Sequence, residues 1–210
     1  MKPDLSLYLI ADIESAHGIA FLKVVEEAVL GGVTAVQLRV KNRTKQDFLK
    51  AAKEMRSLTR FYGLPLIIND NVEIAQSVDA EGVHVGQNDM TVSQARRVLG
   101  TYKILGVSTH TVEEALKAER EGADYAGVGT VFPTSSKTDI RGIIGISGLK
   151  EIREKVRLPL VGIGGITLSN AASVIETGIN GIAVISAIMS SGDPKKTAHE
   201  FKSIIERHKV

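Results

Sequence analysis

The chain of 210 residues contains no cysteine and no tryptophan, and aromatic residues make up only 4% of it. The absence of cysteine excludes disulfide bonds and thiol catalysis, although it leaves the redox compartment open. The scarcity of aromatic rings argues against a surface on which nucleic-acid bases stack. Two classes of function, cysteine-based chemistry and single-strand nucleic-acid binding, are therefore disfavoured.

Charge of one sign and long apolar runs are also scarce. The net charge is only +2, and no cluster of lysine and arginine stands out, so we expect no nucleic-acid partner. The first twelve residues, MKPDLSLYLIAD, hold too short an apolar run for a signal peptide or a membrane span. We therefore expect a cytoplasmic protein without a membrane partner. The sequence leaves the oligomeric state open, with a homo-oligomer among the alternatives.

Short apolar runs alternate with helical patterns along the whole chain. The predicted strands are 7–11, 35–39, 65–68, 82–85, 104–108, 125–128, 160–163 and 181–185. The predicted helices are 19–30, one that Thr44 opens, 72–78, 91–99, 111–121, 149–155, 170–177 and 194–207. Eight β-then-α units without a break in composition predict one domain over residues 1–210, a single (β/α)₈ or TIM barrel. A doubly wound open sheet is the alternative fold, but no GxGxxG motif follows the first strand.

Two of the predicted helices begin with the spacing of a capping box, in which a threonine is followed three residues later by a Gln or Glu. These pairs are Thr91 with Gln94 and Thr111 with Glu114. They predict that each helix begins just after its threonine.

In a TIM barrel the chemistry lies where the strands end, so the polar residues at those points are informative. The second strand ends in QLRVK, and alternation sends Gln37, Arg39 and Lys41 to one face. We predict that these three groups line the mouth of the barrel, where two cations need an anion. The alternative is that Arg39 pairs with a carboxylate of the barrel.

Two aspartates follow the next two strands. The third strand ends in Asn69 and Asp70, and the fourth leads through His84 to Asp89. Paired carboxylates beside cations suit Mg²⁺, which prefers one or two carboxylates together with phosphate oxygens. The alternative is that both aspartates cap the helices that follow them. His84 is either a hydrogen-bonded residue of a strand or a ligand contact.

The fifth and sixth strands lead into further polar residues. Ser108 ends the fifth strand and His110 follows it, so either could contact a substrate. Gly127 and Gly129 then precede a loop that runs from Thr134 to Lys137. Glycines permit close approach of the backbone, and hydroxyls with a lysine suit a lid over phosphate or diphosphate. An ordinary solvated loop is the alternative.

The last two strands end in features of a phosphate site. Gly164 and Gly165 follow the seventh strand, and the eighth ends at Ile185 and Ser186. Backbone amides after these two strands commonly bind phosphate in TIM barrels. A tight turn is the alternative role of the glycines. Together the strand ends predict a metal-assisted diphosphate site around strands two to four and a monophosphate site at strands seven and eight.

The motifs at these strand ends resemble the thiamine-phosphate synthase family over nearly the whole chain. The segments that carry the resemblance are QLRVK at 37–41, ND at 69–70, GVHVGQND at 82–89, GVSTH at 106–110, FPTSSK at 132–137, VGIGGI at 161–166 and GIAVISAI at 181–188. The resemblance implies a Mg²⁺-dependent enzyme of thiamine biosynthesis. Such an enzyme joins hydroxymethylpyrimidine diphosphate to hydroxyethylthiazole phosphate and releases diphosphate.

The resemblance also implies roles for particular residues. The pyrimidine diphosphate would be held by Gln37, Arg39, Lys41, Asn69, Ser108 and Lys137, of which Arg39, Lys41, Ser108 and Lys137 would act on the chemistry. The metal would be held by Asp70 and Asp89. The thiazole phosphate would be held by Thr134, Ser136, Gly165, Ile185 and Ser186. One departure from the family pattern is Asn71, which follows the ND pair where arginine is common.

Two other functions remain as alternatives at this point. One is a metal-free isomerase of the thiazole phosphate, with His84 or His110 as the acid and base. The Asp70 and Asp89 pair argues against it, because an isomerase needs no diphosphate site. The other is a barrel that binds phosphate without turnover, although no catalytic group is missing from the sequence.

Overall fold

The computed structural model describes residues 3–15, 21–134 and 141–208. Within these ranges eight parallel strands form a closed barrel, in which each strand pairs with the next along the chain and the last pairs with the first. The strands are Leu7–Asp12 (β1), Ala35–Arg39 (β2), Leu66–Asn69 (β3), Gly82–Val85 (β4), Ile104–Thr109 (β5), Tyr125–Val128 (β6), Leu160–Ile163 (β7) and Gly181–Val184 (β8). The TIM barrel is therefore confirmed, and the doubly wound sheet is excluded because that sheet has two open edges.

Helices follow the strands and surround the barrel. In the described residues they are Phe21–Leu30 (α1), Lys45–Phe61 (α2), Val72–Ser77 (α3), Val92–Leu99 (α4), Val112–Arg120 (α5), Gly145–Lys155 (α6), Ala171–Ile175 (α7), Ser186–Met189 (α8) and Pro194–His208 (α9). The sequence did not predict α8, a single turn directly after β8. The predicted start of α6, at residue 149, lies four residues after the observed start at Gly145. None of the helices in the described ranges is both long and apolar enough to cross a membrane.

The two predicted capping boxes turn out differently. Thr91 and Gln94 form the complete reciprocal pair at the start of α4. At α5 the Thr111 side chain accepts from the backbone amide of Glu114, as predicted. The Glu114 carboxylate, however, accepts a hydrogen bond of 2.7 Å from the backbone amide of His110, one residue before the cap. That carboxylate therefore fixes the end of β5 instead of closing the box.

Alternation along the strands divides the apolar core into two layers. Leu7 and Leu9 of β1 face outward and pack with the helices in the larger cluster. Tyr8 and Ile10 face inward and form a smaller cluster that includes Tyr125 of β6. Because these side chains fill the interior, the barrel is a packed core and not a pore. A ligand can therefore bind only at an end of the barrel.

The amino-terminal end of the barrel is closed by polar side chains that link strands in pairs. Thr34, Glu81, Asp124 and Asn180 each directly precede an even-numbered strand. Each accepts a hydrogen bond from an amide at the start of the preceding odd-numbered strand, at 3.1, 2.9, 2.7 and 2.9 Å respectively. These side chains satisfy the backbone at that end. The carboxyl-terminal end is thus the end whose polar groups face a cavity.

Candidate active site

A cavity of about 700 Å³ opens at the carboxyl ends of the strands. Loops after β2 to β8 form its walls. The predicted site residues that line it are Arg39, Lys41, Asn69, Asp70, Asp89, Ser108, Thr134, Gly165, Ile185 and Ser186. The predicted lid residues Ser136 and Lys137 lie outside the described residues.

Gln37 does not lie at the mouth, and that prediction is corrected. Its side chain is buried in the barrel interior, where its amide nitrogen donates to the Tyr8 hydroxyl at 3.0 Å. Alternation places Gln37 on the same face as Arg39, but two residues of strand separate them by roughly 6–7 Å along the barrel axis. Arg39 and Lys41 reach the cavity, whereas Gln37 does not.

Arg39 forms an ion pair with Asp12 at the end of β1. The Asp12 side chain is 3% exposed and that of Arg39 is 16% exposed. The other oxygen of Asp12 accepts from the Glu14 amide at 3.1 Å. The predicted alternative, pairing with a barrel carboxylate, is therefore present, and Arg39 lines the cavity as well. Sequence reasoning missed Asp12, although a charged residue ending an apolar strand was the available signal.

The Asp70 and Asp89 carboxyl groups lie close together at the ends of neighbouring strands. The Lys41 Nζ lies 2.6 Å from Asp70 Oδ2. Burial raises the pKa of the Asp70 carboxyl above its ordinary value. The nearby carboxyl group of Asp89 raises that pKa further through a hydrogen bond and through charge, whereas Lys41 opposes the rise. Burial and the neighbouring carboxyl group together therefore outweigh the effect of Lys41 on the pKa of Asp70.

Neither aspartate caps a helix, so that alternative is wrong. The N-cap of α3 is Asn71, whose side chain accepts from the Ile74 amide, and the N-cap of α4 is Thr91. Asp70 instead has a left-handed backbone with φ of 63°, which directs its side chain to the cavity side of the turn. Asp89 accepts from the Gly86 amide at 2.8 Å, which fixes its own loop.

These groups fit a magnesium ion. Mg²⁺ retains several waters and takes one or two carboxylates together with phosphate oxygens, and the Asp70–Asp89 pair supplies that number. The described residues hold no cluster of three or more His, Cys, Asp or Glu that could form an all-protein metal cage. The pair therefore suits a cation that arrives with a phosphate-bearing ligand.

Gly164 and Gly165 form the predicted tight turn and also line the cavity. Both have positive φ, at 100° and 63°. A Cβ on Gly165 would lie 2.4 Å from the Pro133 carbonyl oxygen and 2.7 Å from that of Phe132. The turn is therefore locked against the loop after β6, and its backbone borders the cavity without side chains.

The two histidines occupy different environments. His84 is buried, with Nδ1 2.9 Å from the Tyr125 hydroxyl and Nε2 2.9 Å from the Ser108 hydroxyl. His110 lines the cavity, and its Nδ1 donates to the Gly129 carbonyl at 2.9 Å. Of the two, only His110 reaches the space that a ligand would fill.

Arg141 is a cation of the cavity wall that sequence reasoning missed. Its guanidinium lies 2.6 Å from a carboxylate oxygen of Glu114, the residue that also fixes the His110 amide. A single arginine in a loop carries no spacing signal, so the sequence could not have placed it. With Arg39 and Lys41, it gives the described part of the cavity three cations, each paired with a carboxylate.

The raised pKa of the Asp70 carboxyl group predicts that Asp70→Asn stabilises the metal-free protein. The raised pKa means that ionised Asp70 costs stability above that pKa. Asparagine removes the charge and tolerates left-handed φ. We expect the free energy of unfolding in urea with EDTA at neutral pH to rise by about 0.5–1 kcal/mol. The gain should shrink as the pH falls through the pKa of Asp70, because protonated aspartate is also neutral.

Asp79→Asn is the matched control, since Asp79 also has a left-handed φ, of 51°. Its pKa is lowered, chiefly by a hydrogen bond from Lys103, so removing its charge should not stabilise the fold. Equal gains in the two variants would assign the effect to the backbone and not to the paired carboxylates.

Comparisons with known proteins agree with this geometry. The family model described as thiamine monophosphate synthase matches residues 7–188. The chain is 49% identical over 199 residues to a thiamine-phosphate synthase of Clostridium botulinum strain Hall, covering 95% of this chain and 97% of that protein. It is 50% identical over 197 residues to one of Clostridium tetani, with 94% of each chain covered. A thiamine phosphate pyrophosphorylase structure from Pyrococcus furiosus superimposes with a TM-score of 0.89 at 40% identity over 98% of both chains. The chain belongs to the thiamine monophosphate synthase family.

Proposed function

We propose that this enzyme joins hydroxymethylpyrimidine diphosphate to hydroxyethylthiazole phosphate, giving thiamine phosphate and diphosphate with the help of Mg²⁺. The observation that carries the proposal is the division of one cavity into two sides. Carboxylates and cations line the side of β2 to β4, while glycine backbone and hydroxyl groups line the side of β7 and β8. A cavity of about 700 Å³ has room for two small substrates side by side.

The β2–β4 side suits the pyrimidine diphosphate. Arg39 and Lys41 bring positive charge to the leaving group, and Asn69 and Ser108 bring hydrogen-bonding groups to the same wall. Lys137, which lies outside the described residues, is proposed to add a further cation from the loop after β6. Mg²⁺, when held by Asp70 and Asp89, would supply positive charge to the diphosphate oxygens.

In this reaction the bond between the pyrimidine methylene carbon and the diphosphate oxygen breaks, and its electron pair leaves with diphosphate. The electron-rich aminopyrimidine ring shares the positive charge left on that carbon. The thiazole nitrogen then donates its lone pair to form the new bond. Because that nitrogen carries no proton, no general base is needed. The protein contributes charge neutralisation and orientation.

The ion pair between Lys41 and Asp70 is compatible with an exchange of partners in the site. Lys41 is half-exposed and Asp70 partly exposed, so their contact can be rearranged at little cost. With Asp70 engaged by a metal, the Lys41 ammonium would be available to donate to the diphosphate. Arg39 differs, since its buried pairing with Asp12 holds the guanidinium in a fixed place.

The β7–β8 side suits the thiazole phosphate. The locked Gly164–Gly165 turn, Ile185 and Ser186 border this part of the cavity, and Thr134 faces it from the loop after β6. Ser136 is proposed to join them from outside the described residues. Bare backbone at the turn lets a phosphate approach closely, and hydroxyl groups donate to its oxygens.

The metal-free isomerase is less well supported. It needs His84 or His110 as an acid or base in the cavity, and His84 has both ring nitrogens engaged by Tyr125 and Ser108 in the barrel interior. An isomerase also gives no role to the Asp70–Asp89 pair.

The proposed function is tested by incubating the protein with both substrates. We expect thiamine phosphate and diphosphate to form in equal amounts with Mg²⁺ and product formation to fall sharply in EDTA. Asp89→Asn should lower turnover by on the order of 100-fold, because it would weaken the hold on the metal whose positive charge stabilises the leaving group. Asp193→Asn is the control, since Asp193 is exposed, does not line the cavity, and accepts from the Lys196 amide in the first turn of α9.

Each contrary result points to a named alternative. Conversion of the thiazole phosphate alone, without Mg²⁺, would favour the isomerase. Binding of both ligands without any product would favour the non-catalytic barrel.

The monophosphate site is tested at Ser186, which is exposed in the cavity wall. Ser186→Asp should raise KM for the thiazole phosphate by about 10-fold or more, because a carboxylate repels the phosphate across the same space. Ser186→Asn has nearly the same size without the charge and should have a smaller effect. KM for the pyrimidine diphosphate should change little in either variant. Equal increases for both substrates would show that the two sites have been assigned wrongly.

A further inference from the structure

A chain of hydrogen bonds crosses the barrel interior from β2 to the cavity. It begins at Gln37, whose amide nitrogen donates to the Tyr8 hydroxyl at 3.0 Å. The Tyr8 hydroxyl lies 2.8 Å from that of Tyr125. Tyr125 contacts His84 Nδ1, and His84 Nε2 contacts the Ser108 hydroxyl, both at 2.9 Å. The chain therefore ends on a residue that lines the cavity.

The packing of the barrel holds this chain in place. Tyr8 and Tyr125 are essentially inaccessible to solvent, and their rings meet edge to face at a centroid distance of 5.8 Å. Gly106 of β5 provides the space for the Tyr125 ring, since a Cβ there would lie 2.1 Å from Tyr125 Cζ. Burial raises the pKa of both tyrosines, so both hydroxyls keep their protons at neutral pH.

The direction of the chain follows from requiring that each of those protons has an acceptor. An amide nitrogen can only donate, so the Tyr8 oxygen accepts from Gln37. The other partner of the Tyr8 hydroxyl is Tyr125, so the Tyr8 proton finds its acceptor when it points to the Tyr125 oxygen. Tyr125 in turn donates its own to His84 Nδ1. A neutral imidazole that accepts at Nδ1 carries its proton on Nε2, and Nε2 therefore donates to Ser108.

We propose that this buried chain is a positioning device, which makes the Ser108 hydroxyl an acceptor toward His84 and so turns its single proton into the cavity as a donor to substrate. The inference rests on the proposed function for the identity of that substrate. The atom that meets Ser108 must be an acceptor, namely an oxygen of the diphosphate or a nitrogen of the pyrimidine ring. The exocyclic amino group of that ring is a donor and does not fit.

The chain serves catalysis by fixing the hydroxyl before substrate arrives. A free serine hydroxyl rotates among three staggered positions and can donate to water, whereas the bonded one keeps a single orientation. A donor that is already oriented needs no reorganisation as charge develops on the leaving group. His84, Tyr125, Tyr8 and Gln37 do not line the cavity, and their proposed effect is exerted through Ser108.

The direction of the chain is tested without substrate by ¹⁵N NMR of the histidine rings. His84→Gln assigns the His84 signals by their loss. We expect the Nε2–H tautomer at neutral pH, with Nδ1 unprotonated. A proton on Nδ1 would reverse the chain, make Ser108 an acceptor toward substrate and overturn the inference.

The functional effect is tested by a double-mutant cycle on kcat/KM for the pyrimidine diphosphate. His84→Leu and Ser108→Ala should each lower it by about 10-fold. If His84 acts through Ser108, adding His84→Leu to Ser108→Ala should cost less than about 2-fold more. His84→Gln, whose amide nitrogen can occupy the place of Nε2, should recover most of the loss. If the losses of kcat/KM in His84→Leu and Ser108→Ala multiply in the double variant, and His84→Gln recovers nothing, His84 has a purely structural role.

Tyr125→Phe provides a milder variant in case His84→Leu does not fold. It removes one oxygen, and we expect a several-fold loss that also disappears in the Ser108→Ala background. Tyr62→Phe is the control, because it removes a hydroxyl bonded to Glu26 outside the barrel. A wild-type protein that makes no thiamine phosphate would overturn the proposed function. An active wild type with multiplying losses would overturn this inference alone.

Discussion

The proximity of two carboxyl groups, those of Asp70 and Asp89, is the constraint on which the account of the site depends. The closed parallel barrel brings the ends of β3 and β4 side by side, so two acidic residues that follow those strands must share one region. Lys41 offsets part of their charge, yet the pKa of Asp70 remains raised. This carboxylate pair is the place at which we propose that a cation binds.

The residues that hold the barrel together lie apart from those that line the cavity. Polar residues at the amino-terminal end link the strands in pairs, and apolar side chains fill the interior. The chain from Gln37 to Ser108 carries polar groups through that interior and leads to the cavity. Arg39 at the cavity is likewise held in place by a side chain that is itself buried, that of Asp12. The cavity therefore combines side chains held by buried partners, Arg39 and Ser108, with the more exposed ion pair of Lys41 and Asp70.

The sequence predicts what depends on local pattern. Strand alternation and helix periodicity place all eight strands to within a residue or two. The rule that barrel chemistry lies at strand ends then identifies most of the cavity wall. Alternation gives the face of a side chain but not its depth, so Gln37 was placed at the mouth when it lies in the interior. Partners distant in the chain, such as Asp12 for Arg39 or Glu114 for Arg141, leave no local signal.

The most direct test of the account is a calorimetric titration of the protein with inorganic diphosphate, with and without Mg²⁺. If Asp70 and Asp89 hold the metal beside Arg39 and Lys41, the wild type should bind diphosphate tightly only when Mg²⁺ is present, and Asp89→Asn should lose that dependence. Diphosphate binding of equal strength with and without Mg²⁺, in both proteins, would contradict the account, because the carboxylate pair would then have no part in the site.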